Sequence, residues 1–237
     1  MEQILIFIGA RANSKGVKGK NIRLLMGKPL VSYTIQQAIR WGKAKRIVVS
    51  TDSPEIAQIA RKMKIDVPYL RPARLATDTA CKGKAIKYEL KRYEKTFDER
   101  YSVVVDLDVT APIRKLNDLD NCLELYQKYR PKTLFSVVKS HKNPYFNMVE
   151  LKSNGRAERS KKLNKRIYRR QDAPAVYAMN ASIYFYNRDY VMKSEDCSPF
   201  SEDTRIYVMD EFAGVDIDRE IDFQFVEFLL EQKLVQI

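Results

Sequence analysis

Apolar positions along the chain fall into short β-type runs separated by longer amphipathic stretches. Residues 4–8 are five apolar side chains without a polar break, the pattern of a strand covered on both faces inside a parallel sheet. After Pro29, a residue suited to a helix start, Leu30, Ile35, Ala38 and Ile39 recur at helical spacing. Residues 46–51 predict a second strand, and Asp52-Ser53-Pro54-Glu55 supplies a cap and an early proline for a helix over residues 55–63. Residues 67–70 read as a short third strand ending at Arg71-Pro72. A helix over 82–95, a β-branched strand over 101–108, a helix over 117–129 and a strand over 133–138 follow. Such alternation predicts an α/β fold built on a doubly wound, Rossmann-like, mainly parallel sheet, with ligands at the carboxyl ends of its strands.

The pattern changes near residue 140. Residues 144–151 alternate like a solvent-facing hairpin strand that turns at Ser153-Asn154-Gly155, and a cationic stretch runs on through Arg170. Residues from about 140 to 178 are therefore expected to be an insertion that lies over the active edge or reaches another subunit. A flexible basic surface loop is the other reading. A strand over 182–186 and a helix over 220–230 return the chain to the sheet.

Composition narrows the classes. With 45% hydrophobic and 31% charged residues, 237 residues suffice for one α/β domain or one domain with a modest insertion. No apolar run is long enough to cross a bilayer, no signal-type start is seen, and a cytoplasmic location is the default expectation. Three cysteines without a Cys-x-x-Cys pair and a single histidine argue against structural zinc, a disulfide framework and any multi-histidine metal site. A net charge of +13 suits either nucleic acid or a site for small anions. The cations are spread along the chain and no nucleic-acid motif is present, so the small-anion reading is preferred over a basic nucleic-acid-binding domain.

The first apolar run breaks at Gly9 into a loop with Arg11, Lys15, Lys18 and Lys20 among small residues and two glycines. Backbone N–H groups in such a loop can cradle phosphate oxygens, and the cations suit a nucleoside triphosphate. The spacing is neither Walker A nor Gly-x-Gly-x-x-Gly, and a solvated basic turn is the plain alternative. Two Asp-x-Asp pairs, Asp106/Asp108 and Asp216/Asp218, present two carboxylates on one face of an extended segment. Paired hard oxygen ligands suit Mg²⁺ (or Mn²⁺) bridging to substrate phosphates, whereas Asp218 is equally placed to cap the helix that follows. An Asp-x-Asp is also used by nucleotide-sugar glycosyltransferases.

Ala10-Arg11-Ala12-Asn13-Ser14-Lys15-Gly16 with Lys20-Asn21 resembles the signature loop of the cytidylyltransferases that activate nonulosonic acids, the CMP-sialic acid synthetase family. The resemblance continues in register through Val49-Ser50-Thr51-Asp52, Leu70-Arg71-Pro72-Ala73 and Leu75-Ala76-Thr77-Asp78-Thr79-Ala80 to Asp216-Ile217-Asp218. It implies a single domain over residues 1–237, of the nucleotide-diphospho-sugar transferase type. The implied reaction joins CTP and an acidic nine-carbon 2-keto sugar into a CMP-sugar and releases pyrophosphate. Arg11, Lys15 and Lys20 would hold the triphosphate, with Ala10, Asn13, Ser14 and Asn21 adding nucleotide contacts and Arg71 and Ala80 near cytosine. Asp216 and Asp218 would bind the metal, and Arg11, Lys15, Lys20 and Asp218 would carry catalysis.

Many sialic acid synthetases have Leu-Gln-Pro-Thr-Ser-Pro where this chain has Leu107-Asp108-Val109-Thr110-Ala111-Pro112. That departure, with Asn143-Pro144-Tyr145-Phe146-Asn147 and Tyr177-Ala178-Met179-Asn180, looks like the bacterial CMP-legionaminic acid synthetases. Legionaminic acid, or its N,N'-diacetyl form, is thus the expected acceptor, with sialic acid as the alternative. An ionised Asp108 accepts but cannot donate a hydrogen bond, so it changes which sugar groups are recognised. Asp108, Arg170, Gln171, Tyr177 and Asn180 are the expected sugar contacts, with Arg169 beside them. The family resemblance implies a homodimer whose insertion serves the partner's sugar pocket, and neither nucleic acid nor membrane as a partner.

Overall fold

The computed structural model describes residues 2–12, 16–164 and 166–237. Six strands form one sheet: β1 (Ile4–Gly9), β4 (Arg46–Ser50), β5 (Val103–Leu107), β6 (Thr133–Lys139), β9 (Tyr177–Asn187) and β10 (Thr204–Val208). Two small hairpins stand apart from it, β2 (Leu24–Leu25) with β3 (Lys28–Pro29), and β7 (Val149–Leu151) with β8 (Ala157–Arg159). The helices are α1 (Leu30–Trp41), α2 (Pro54–Lys62), α3 (Lys82–Phe97), α4 (Leu116–Tyr129), α5 (Arg188–Lys193) and α6 (Glu220–Glu231).

Sheet order is β10-β6-β9-β5-β1-β4. β1 pairs in parallel with β4 and β5, and β6 with β10; β9 runs antiparallel between β5 and β6. Five strands therefore share one direction, and their carboxyl ends share one edge. Strand periodicity sorts β1 between two layers. Ile4, Ile6 and Ile8 pack with the buried faces of α1, α2, α4 and α6, while Leu5 and Phe7 meet α3 and α5. All five are buried, as expected of a strand covered on both faces.

Two expected elements differ. Residues 67–70 do not form a strand. Pro68 has no N–H to donate, the Val67 carbonyl accepts from Arg61 Nη2 at 2.6 Å, and the segment instead delivers Arg71, whose N–H donates to the Thr51 carbonyl at 2.7 Å. The strand expected over 144–151 is confined to Val149–Leu151, because Phe146, Asn147 and Met148 all donate their N–H groups to the Asn143 carbonyl in a turn. The hairpin itself forms, closing through Ser153-Asn154-Gly155. β10, an edge strand, had no counterpart in the sequence reading.

An irregularity in β9 matters for the site. Register between β6 and β9 shifts between Phe135 and Val137, and Ala181 takes a φ of 47°. Ser136 Oγ donates to Asn180 Oδ1 at 2.7 Å and accepts from the Ile183 N–H at 2.9 Å, which stabilises the kink. The kink turns the Ser182 carbonyl toward the segment after β5, where it accepts from the Asp108 N–H (3.2 Å) and Arg114 Nη1 (3.1 Å).

Candidate active site

A cavity of about 500 Å³ opens at the carboxyl ends of β4, β1 and β5. Its lining includes Gly9, Arg11, Lys20, Asn21, Arg71, Ala80, Lys82, Asp108 and Asp218. Of the expected residues, the structure gathers Arg11, Lys20, Asn21, Arg71, Ala80, Asp108 and Asp218 here. Ala10 is buried beneath, its N–H donating to the Ser50 carbonyl at 3.0 Å. Asn13, Ser14 and Lys15 lie outside the described residues.

Each side chain is held by its own element. The loop after β1 is pinned where Ala12 N–H donates to Asp52 Oδ1 (2.8 Å) and Asn21 Nδ2 donates to the Arg11 carbonyl (2.9 Å). Arg11 Nη1 donates to the Thr77 carbonyl at 2.6 Å and lies 3.4 Å from Asp78 Oδ1, which ties the loop to the 73–80 segment across the cavity. Gly16 backs directly on the other wall. A Cβ there would fall 1.9 Å from the Asp218 carbonyl oxygen, so no larger residue fits without moving that strand of chain. Lys20 is buried, donates to the Ile217 carbonyl and sits 3.2 Å from Asp218 Oδ1.

Arg71 forms the floor on the β4 side. It is 7% exposed, and its Nε and Nη2 donate to Ser50 Oγ (2.9 Å) and the Ser50 carbonyl (2.6 Å). Ser50 Oγ donates onward to Glu89 Oε1 at 2.5 Å. Burial lowers the Arg71 pKa and raises that of Glu89, which is 1% exposed; the two charges, one hydroxyl apart, oppose those shifts. Ser50 belongs to the Val49-Ser50-Thr51-Asp52 motif, which on its own gives it no role, and Glu89 is not among the expected residues although it falls on the buried stripe of α3 with Ala85, Ile86, Leu90 and Tyr93. A carboxylate on such a stripe needs a buried partner.

Asp108 follows β5 directly. Buried Arg114 reaches back with Nη2 to the Asp108 and Ala111 carbonyls, and Gln37 Nε2 donates to the Pro112 carbonyl at 2.9 Å. These bonds leave the Asp108 carboxylate facing the cavity, where Oδ1 meets Lys82 Nζ at 2.5 Å. Lys82 also lies 2.7 Å from Asp106 Oδ2. Asp106, within β5, is 1% exposed, and burial raises its pKa against the pull of Lys82. Burial works against the Lys82 ammonium as well, and the two carboxylates outweigh it and raise its pKa. Lys82 is not among the residues expected from the sequence, because Lys84 and Lys87 share its helix and it meets the Asp-x-Asp strand only in the fold.

The second aspartate pair lies beside the segment after β5, where the Ile217 N–H between the two donates to the Thr110 carbonyl at 2.8 Å. Asp218 is mostly exposed, while Asp216 Oδ1 is buried and has no hydrogen-bond partner among the described residues. Burial raises the Asp216 pKa, a hydrogen bond from Thr110 opposes it, and the Asp218 and Asp108 charges add to the rise against the pull of Lys20. Asp218 does not cap α6. The N-cap position is Arg219, and Asp222, in the first turn of the helix, accepts from the Asp218 (3.2 Å) and Arg219 (2.8 Å) N–H groups. No group of three or more His, Cys, Asp or Glu side chains converges among the described residues. A partnerless buried oxygen beside an exposed carboxylate fits Mg²⁺, which takes one or two carboxylates and completes its shell with water and phosphate.

Four expected sugar contacts lie away from this cavity. Asn180 is 2% exposed and spent inside the fold, with Nδ2 donating to the Ala213 carbonyl at 3.0 Å and Oδ1 bonded to Ser136. Its position at the β9 kink explains the residue in structural terms. Arg170 donates to the His141 carbonyl at 3.1 Å, and Gln171 and Tyr177 are exposed on the insertion side.

Fold and site together define a nucleotidyltransferase: a Rossmann-like sheet whose leading strand ends carry a cationic pocket edged by carboxylates. The chain belongs to the cytidylyltransferase family, whose sequence model matches residues 5–235. It is 41% identical over 233 residues to the CMP-N,N'-diacetyllegionaminic acid synthase of Campylobacter jejuni, covering 98% of this chain and 97% of that protein. It is 40% identical over 236 residues to the "Post-translational flagellin modification protein B" of Campylobacter coli, covering 100% and 98%. Among solved structures, a CMP:2-keto-3-deoxy-manno-octonic acid synthetase in complex with CTP matches with a TM-score of 0.69 at 16% identity. It covers 98% of this chain and 99% of its own.

Proposed function

We propose that this protein transfers the cytidylyl group of CTP to a nonulosonic acid, N,N'-diacetyllegionaminic acid or its parent legionaminic acid, and releases pyrophosphate. The observation that carries the reading is the end-to-end similarity, at 41% identity, to a CMP-N,N'-diacetyllegionaminic acid synthase. The cavity chemistry agrees with it. The anomeric hydroxyl of the sugar attacks the α-phosphorus and loses its proton to water, a new P–O bond forms, the bond to the bridging oxygen breaks, and pyrophosphate leaves with the electron pair. Arg11 and Lys20 meet the triphosphate oxygens and stabilise charge that builds on them, exchanging their present carboxylate and carbonyl partners for phosphate. Arg71, held by Ser50 and Glu89, fixes the nucleoside end, and Asp108 faces the acceptor. Asp216 and Asp218 would hold Mg²⁺ or Mn²⁺, which when bound neutralises phosphate charge and lowers the pKa of a coordinated hydroxyl.

The insertion is assigned to a homodimer contact. Val149 and Leu151 on its hairpin are 67% and 77% exposed, with Tyr168 at 73% on the same excursion. Arg170, Gln171 and Tyr177 would then serve the sugar pocket of the second copy. Dependence on CTP is consistent with a cytoplasmic enzyme, and no helix among the described residues is long and apolar enough to cross a membrane.

The site assignment is tested by Lys20→Ala and Asp218→Ala. Both are expected to reduce pyrophosphate release at least about a hundredfold while leaving the circular dichroism spectrum of the folded chain. Full turnover in both variants would overturn it.

A further inference from the structure

We propose that Lys82 is a positioning and charge-setting residue of the cavity: by bridging Asp106 and Asp108 it fixes the Asp108 carboxylate in the wall and makes two adjacent carboxylates compatible with a polyanionic substrate. The inference rests on the reading of the cavity as a CTP site and adds to it a residue with a defined role.

The geometry is that of a clamp. Asp106 and Asp108, two residues apart, face the same side of an extended segment, and Lys82 Nζ lies 2.7 Å from one and 2.5 Å from the other. Asp106 is sealed inside the sheet, whereas Lys82 and Asp108 both line the cavity. The ammonium thus joins a buried carboxylate to one that substrate can reach. Tyr184 closes another side, its ring centroid 5.6 Å from the nitrogen.

The start of α3 is held in place independently of this cluster. Gly83 packs so closely that a Cβ would fall 1.7 Å from the Asp196 carbonyl oxygen, and Cys81 Sγ donates to the same oxygen at 3.0 Å. Lys82 is therefore delivered to a fixed point rather than drawn there by the aspartates alone.

Charge counting gives the consequence. Two aspartates and one lysine leave the cluster at −1. Replacing Lys82 with a neutral residue makes it −2 while Asp106 stays ionised, and raises the Asp106 pKa further, so that protonation of Asp106 returns the cluster to −1 as pH falls. Replacing Asp106 alone makes it 0, and replacing both restores −1. Charges a few ångströms from a ligand in a partly buried site shift affinity by about tenfold or more each.

The experiment measures CTP affinity by calorimetry across about pH 7 to 9, because loss of Lys82 raises the Asp106 pKa further, for wild type, Lys82→Met, Asp106→Asn, the double variant and Lys82→Arg. At the alkaline end the expected order is Asp106→Asn at or above wild type, the double variant near wild type, and Lys82→Met weaker by about tenfold or more, a loss that shrinks toward neutral pH as Asp106 takes up a proton. Lys82→Arg retains most of the affinity. In turnover, Lys82→Met is expected to raise the KM for the acidic sugar more than it lowers kcat, because it frees Asp108 without removing a group that touches the reacting phosphorus. A purely structural lysine would lower thermal stability without producing this order. Should Lys82→Met fail to fold, Asp106→Asn alone decides: weaker CTP binding than wild type contradicts the charge account. Wild type that binds CTP, with Lys82→Met equal to it at every pH of the range, overturns the inference and leaves the functional reading intact. Wild type that binds no CTP overturns both.

Discussion

Each described cation lining the cavity already has an oxygen partner: Arg11 with Thr77 and Asp78, Lys20 with Ile217 and Asp218, Arg71 with Ser50, and Lys82 with Asp106 and Asp108. The site is preorganised, and an incoming phosphate replaces partners rather than ordering free side chains. Arg71 shows how far such organisation extends. Its guanidinium is aimed by Ser50, and Ser50 is aimed by Glu89, which touches no cavity space. Ser50→Ala is therefore expected to raise the KM for CTP several-fold with a smaller change in kcat, and to cost about 1–3 kcal/mol of stability by leaving Glu89 unsatisfied. Steady-state kinetics and denaturant melts check both effects; an unchanged KM would contradict the relay. At this scale the sequence showed the groups that meet ligand, because Arg11, Lys20, Asn21 and Asp218 sit in recognisable motifs. It hid Glu89, Lys82 and Arg114 and the role of Ser50, because these roles come from elements distant in sequence that meet only in the fold.

Among the elements, α3 carries both Lys82 and Glu89, so its seating controls two walls of the cavity. Gly83→Ala forces the Cβ into the Asp196 carbonyl, and overpacking of this kind costs about 1–3 kcal/mol. A melting temperature lower by about 2–12 °C is the expected result, with loss of activity at temperatures where the variant is still folded. The far end of α3 is anchored differently. Glu99, just beyond it, takes a two-pronged contact from Arg46 at the start of β4 (2.9 and 3.0 Å), and Arg46 stacks over Phe97.

Arg46 holds the Glu99 pKa down to about 2 from 4.5. A depressed folded-state value contributes stability above the unfolded pKa and loses it as pH falls. Glu99→Gln should therefore destabilise most near neutrality, and its difference from wild type should shrink between about pH 4.5 and 2. Urea melts across that range read the sign directly; a difference that grows on acidification would contradict it. Periodicity revealed the helices and central strands, since each buries one clear face. It misjudged residues 67–70, where Pro68 and Pro72 interrupt an apolar stretch, and overlooked β10, whose Ile206 and Val208 are exposed on an edge.

For the molecule as a whole, strand and helix alternation made the mainly parallel sheet legible, but not the placement of antiparallel β9 between β5 and β6. That placement depends on which strands pair across long sequence separations, and it is what brings Ser182 to the Asp108 segment. The insertion hairpin, with Val149 and Leu151 outward, is expected to mediate dimerisation. Sedimentation should give twice the chain mass for wild type and a shift toward monomer when both residues are changed to serine; a monomeric wild type would contradict the dimer assignment.

The most direct test of the central claim is pyrophosphate release from the four ribonucleoside triphosphates, each paired with legionaminic acid, its N,N'-diacetyl form, sialic acid and 3-deoxy-octulosonic acid in the presence of Mg²⁺. Release is expected with CTP, fastest with N,N'-diacetyllegionaminic or legionaminic acid, one pyrophosphate per CMP-sugar formed. No release from CTP with any of these acids, or a preference for ATP or GTP, would contradict it.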